Sequence, residues 1–71
     1  MKYRVLKPLL AIRREPGVAA VLLTIDPGSV ITLNGEVERT GFVDVLYNGQ
    51  IVKVYMRDLE NGADRIDAQA G

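Results

Sequence analysis

Chemistry near neutral pH usually depends on a tunable base or an activated nucleophile held by a further group. Among 71 residues there is no histidine and no cysteine. The candidates reduce to carboxylates, lysines, hydroxyls and tyrosines. Asp58 and Glu60 stand two apart, with Asp64 and Asp67 beyond them. A carboxylate pair of the glycosidase kind needs a cleft around the scissile bond, and so short a chain scarcely forms one alone. These acids read as a polar chain end, with Asp58 expected to cap a short turn by accepting backbone N–H bonds.

Metal and cofactor chemistry fare no better. Zinc prefers nitrogen and sulfur ligands, which the composition withholds. Asp64-Arg65-Ile66-Asp67 offers two oxygen donors without an EF-hand pattern. The glycines are dispersed and form neither GxGxxG nor GxxxxGK[ST], so they read as turn formers. No catalytic residue, cofactor or metal is expected. The chain does not read as an enzyme.

Two features remain. Lys2, Arg4, Lys7, Arg13 and Arg14 put five basic residues and no acid into the first fourteen positions. From Glu15 onward, four basic residues face nine acidic ones, so the formal net charge is zero. A strand at Lys2 and Arg4 shows its charges on one face. The strip is a candidate phosphate contact, with Tyr3 or Tyr47 available to stack on a base. The neutral chain has no RNA-reading motif, and neutralisation by the acidic remainder is the simpler expectation.

The second feature is FVDVLYNGQIVKVYM, residues 42 to 56. Asn48-Gly49 between apolar runs is a strong hairpin signal, because both central residues of a type I′ turn need positive φ. A two-residue loop places Asp44 opposite Lys53 and gathers Val43, Val45, Val52 and Val54 on one face. Phe42, Leu46, Ile51 and Tyr55 surround the charged pair on the other. The pair is a register device, and its apolar neighbours are a candidate partner-binding patch.

The elements around these residues are punctuated as β structure. Pro-Gly pairs at 16–17 and 27–28 and Asn-Gly pairs at 34–35, 48–49 and 61–62 separate short apolar runs. Strands are expected near residues 2–6, 18–25, 29–34, 41–47 and 50–56. Asp26-Pro27-Gly28-Ser29 suits a type II turn, and GEVERT is a polar connection. The longest apolar run, Val18 to Leu23, suits a buried strand. The tail from Asn61 to Gly71 is expected to fray.

From Thr24 to Glu60 the order of signals resembles a small bacterial SH3-like barrel. TIDPGSVITLNG leads through EVERT into GFVDVLYNGQIVKVYM and a closing RDLE. That resemblance implies a five-stranded all-β barrel or β-roll, with one 3₁₀ turn near residues 58–60 and Leu59 buried in it. Gly28, Ser29, Val30, Ile31, Gly41, Val43, Val45, Gly49, Val52, Val54 and Leu59 fill its structural roles. Tryptophan is absent and so is the Pro-x-x-Tyr close, so binding of proline-rich peptides is not implied.

One domain spanning 1–71 follows from the length. A domain this small buries only about 60% of its unfolded surface, and without disulfides or metal it gains from a second subunit. Apolar content of 48% argues against disorder. No signal-peptide pattern and no run of roughly 20 apolar residues is present, so cytoplasmic location with no membrane partner is expected. The leading expectation is a non-catalytic accessory or structural module that works through protein contacts, with a homo-oligomer, a dimer in particular, favoured. The alternative is nucleic-acid binding through the basic strip.

Overall fold

The computed structural model describes residues 1–67. The strands are β1 (Lys2–Val5), β2 (Leu9–Arg13), β3 (Val21–Ile25), β4 (Val30–Leu33), β5 (Phe42–Tyr47), β6 (Gln50–Tyr55) and β7 (Ala63–Arg65), with helix α1 (Met56–Gly62) between the last two. They form one seven-stranded sheet in the order β3-β2-β6-β5-β4-β1-β7, and every pairing in it is antiparallel. The expectation of mostly β structure is met. The five-stranded barrel is not: the sheet has two additional strands and stays open between β3 and β7.

The two additional strands were hidden for different reasons. In β2, LLAIR, aliphatic residues occupy both faces, so no apolar–polar alternation marks the strand. Its neighbours Lys7 and Pro8 also interrupt the pattern. β7 occupies part of the segment expected to fray, and pairs Ala63 with Val5, Asp64 with Arg4 and Tyr3 with Arg65. The remainder of that expected tail, residues 68–71, lies outside the described residues.

Turn chemistry behaves as its residues dictate. Asn48 and Gly49 take φ of 50° and 78°, as the I′ hairpin requires. Gly28 takes φ of 91°, and the Ser29 N–H donates to the Asp26 carbonyl at 3.2 Å, consistent with the type II turn. Asn61-Gly62 departs from the reading as a turn marker: it is the last turn of α1. A Cβ added at Gly62 would lie 2.9 Å from Leu9 Cδ2, so this glycine serves close packing. Its carbonyl accepts the N–H groups of both Leu6 and Lys7, tying the β1–β2 bend to the helix end.

The core is built from one side of nearly every strand. Val5, Leu9, Ala11, Ile25, Ile31, Val43, Val45, Val52 and Val54 are buried, and no polar or charged residue is buried among the described residues. Helix α1 replaces the expected 3₁₀ turn at 58–60 with seven residues and closes one end of this core with Leu59, which is fully buried. Asp58 is not its cap. The N-cap position is Tyr55, which makes no side-chain capping bond, and Asp58 lies in the first turn, where a carboxylate complements the helix dipole. No helix among the described residues is long and apolar enough to cross a membrane.

Leu59 has no solvent-exposed surface, so Leu59→Ala is expected to lower unfolding stability by about 2–5 kcal/mol, the range for a buried leucine. Urea unfolding followed by far-UV circular dichroism measures it. A loss below about 0.5 kcal/mol, the surface-substitution range, would refute the closing role of Leu59.

Candidate functional site

The β5–β6 hairpin has the register its turn demands. Phe42 pairs with Tyr55, Asp44 with Lys53 and Leu46 with Ile51, while Val43, Val45, Val52 and Val54 turn to the core. A slip of one residue would exchange these faces, so burial of the valines sets what the outer face presents. Leu46, Ile51 and Tyr55 are exposed by 43 to 45%, and Phe42 is half-buried. Phe42 and Tyr55 stack with centroids 4.1 Å apart and an interplanar angle of 19°.

A third charge joins the central pair. Lys53 Nζ donates to Asp44 Oδ1 at 2.8 Å and also to Glu38 Oε2. Glu38 comes from the connection between β4 and β5. The Glu38 N–H donates to the Phe42 carbonyl at 2.7 Å, and the Gly41 N–H donates to the Glu38 carbonyl at 2.9 Å. These bonds form a tight turn, which Gly41 closes with φ of 91°. The hydrogen bond to Asp44 first, and that to Glu38 second, hold the Lys53 ammonium above its ordinary titration range against a small opposing effect of burial. Glu38 went unassigned in the sequence because nothing local links residue 38 to residue 53. Only its place in the polar GEVERT segment marked it.

The outer face is wider than the hairpin. The pairing of Ile12 with Lys53 brings β2 alongside β6, and continuing that register sets Leu10 beside Tyr55. Leu10 is exposed, and Ile12 is half-buried. An open depression of about 570 Å³, lined by Thr40, Gly41, Tyr55, Met56, Arg57 and Asp58, borders the aromatic pair. Neither Leu10 nor Ile12 stood out as a site residue, because their strand was itself not legible.

The basic strip is divided. Lys2 and Arg4 are exposed on β1, Lys7 is exposed in the bend that follows, and Arg13 and Arg14 lie at the far end of β2. In sheet order, three strands separate β1 from β2. Acids from later in the chain meet part of it. Asp64 stands opposite Arg4, and Asp67 lies beside β1, its carboxyl held below the usual range first by a hydrogen bond from the Lys2 backbone. Arg13 pairs with Glu15 at 2.9 Å and donates to Gln50 Oε1 at 3.1 Å. The carboxylates Asp58 and Glu60 form no site: residues two apart on a helix do not face each other. Among the described residues no group of three or more acids is arranged to hold a metal ion.

No protein-family model, no curated protein and no solved structure matches this chain.

The charge cluster makes a pH prediction. Its contribution through Lys53 is fully present below the ordinary lysine pKa and is lost as pH rises through the elevated folded value. An NMR titration of the Lys53 side chain is expected to show a raised midpoint that falls toward the ordinary range in Asp44→Asn. An unchanged midpoint in that variant would exclude Asp44 as the main cause. The accompanying stability loss is expected to be below about 1 kcal/mol, because the groups are partly solvated.

Proposed function

We propose that this chain is a non-catalytic β module that binds another protein through the face of Phe42, Leu46, Ile51 and Tyr55, with Leu10 and Ile12 at its flank. The observation that supports the reading best is the state of the charges at the centre of that face. Lys53 is bonded to both Asp44 and Glu38, so two of its three N–H donors are already engaged when a partner covers them. Covering the surrounding Leu46, Ile51 and Tyr55 then returns apolar burial with less loss to desolvated, unpaired charge. The depression beside Tyr55 suits an anchoring side chain, the usual focus of interface energy. Two carboxylates against one ammonium leave a net negative centre, which favours a partner with a basic residue there.

The likeness of residues 24–60 to SH3-like domains belongs to the same proposal. It rests on the hairpin, the type II turn and the buried Leu59, and it names a mode of work, protein contact, without a peptide specificity. Self-association is part of the reading as well, since a core of this size gains from subunit burial.

Affinity capture from the native cell extract after nuclease treatment tests the reading. The wild-type chain is expected to retain a stoichiometric protein at moderate salt, and Leu46→Asp with Ile51→Asp to release it while keeping the wild-type circular dichroism spectrum. Equal retention by both would remove this face from the function. Retention on single-stranded RNA or DNA that weakens with salt and with Lys2→Gln and Arg4→Gln would replace protein contact by nucleic-acid binding.

A further inference from the structure

The most apolar stretch of the sequence is not where its composition would place it. Val18 to Ile25, VAAVLLTI, carries no charge, and its run from Val18 to Leu23 suits a buried strand. Instead it ends in β3, the strand at the open edge of the sheet. Val18 and Leu22 are exposed by 59% and 64%, Ala19 and Ala20 are exposed, and Val21 and Leu23 are only half-buried. Among the described residues β3 hydrogen-bonds to β2 and to no other element, so one full side of its backbone is unpaired.

Edge strands of soluble proteins are ordinarily blunted by lysine, proline, a bulge or an inward charge. The other edge of this sheet, β7, is three residues long and carries Asp64 and Arg65. β3 has five residues, VLLTI, in uninterrupted register with β2, and none of those devices. Both of its faces are also incompletely covered. A single added strand would pair its backbone and cover Val21 and Leu23 on one side and Leu22 on the other.

We infer that the occupant of this edge is β3 of a second copy, paired antiparallel about a two-fold axis through Leu23. The strand is self-complementary in that arrangement. Val21 falls opposite Ile25, Leu22 opposite Thr24, and Leu23 opposite itself. The residues that turn their N–H and C=O groups outward are either 21, 23 and 25 or 22 and 24. Each set maps onto itself, so every outward group finds a partner. Charge agrees at both ends. Arg14 follows the last residue of β2, at the end of the sheet where β3 begins, and Asp26 follows the last residue of β3, so the two-fold brings Asp26 of the second copy to the end that carries Arg14. Both side chains are exposed, and opposite charge favours their approach. Each Arg14–Asp26 contact occurs twice, as an isologous interface requires. The two sheets become one, with the hairpin faces left open for other contacts, so this inference does not rest on the proposed role of Phe42, Leu46, Ile51 and Tyr55.

Sedimentation equilibrium over about 5 to 500 µM, with the 7.8 kDa chain as monomer, tests the edge. A reversible dimer is expected. Leu22→Lys with Thr24→Lys sets lysine against lysine at two places across the axis and is expected to raise the dimer dissociation constant by about tenfold or more. A constant monomer mass in the wild type would overturn the inference, and so would a dimer that survives the paired substitutions. Leu46→Asp with Ile51→Asp, which addresses the hairpin face, is expected to leave this dimer unchanged. Loss of the dimer there alone would move the interface to that face. If the lysine variant fails to fold, Leu23→Cys decides. Across the axis its Cα atoms would stand about 4.5 or 5.5 Å apart, and either spacing admits a disulfide. In a chain without native cysteine, air or glutathione oxidation is expected to cross-link Leu23→Cys at least about tenfold faster than Val30→Cys, an exposed control more than a disulfide's reach from its own copy in that arrangement. Equal rates would overturn the edge pairing.

Discussion

The inner face of the β5–β6 hairpin is the constraint on which the other elements depend. Val43, Val45, Val52 and Val54 meet there without a polar atom among their side chains, and each is buried. Branching at Cβ restricts each valine to few rotamers, so such a face packs with little loss of side-chain freedom. Its position in the sheet, with β2 on one flank and β4 on the other, makes it the floor on which Val5, Leu9, Ile25, Ile31 and Leu59 assemble. The Asn48-Gly49 turn is what keeps the valines together. Both residues adopt positive φ, and a longer or shorter loop would send alternate side chains outward.

The outer face inherits its composition from that choice. Once the valines turn inward, Phe42, Asp44, Leu46, Ile51, Lys53 and Tyr55 must turn outward. The molecule answers by stacking the two rings and by bonding the lysine to two carboxylates, one supplied by a separate loop. An apolar surface around internally paired charges results. Each exposed aliphatic on it costs little alone.

Helix α1 links this hairpin to the rest of the chain. It begins directly after β6, seats Leu59 in the core and ends at Gly62, whose carbonyl holds the bend between β1 and β2. The chain then pairs β7 with β1. A short helix thereby fixes both the last strand and the first bend, and the absence of a side chain at Gly62 permits the approach of Leu9. At the opposite edge β3 has no such cover. The sheet therefore has a short, charged edge at β7 and a longer, apolar one at β3.

Local chemistry by itself determined the hairpin, its register, the two tight turns and the side of the sheet on which Phe42, Leu46, Ile51 and Tyr55 stand. Those features follow from φ preferences and from period-two alternation, which act between near neighbours. Tertiary structure decided the rest. β2 is a strand because β3 and β6 accept its backbone, although LLAIR shows no alternation. β7 is ordered because β1 offers an edge, although ADR has too few apolar residues to suggest a strand. Glu38 reaches Lys53 through a loop fold that no spacing announces. The open sheet also separates Arg13 and Arg14 from Lys2 and Arg4 in strand order and leaves VLLTI at an edge instead of in the core. Strand order depends on which backbones meet across long stretches of chain, and side-chain pattern within one strand carries no record of that.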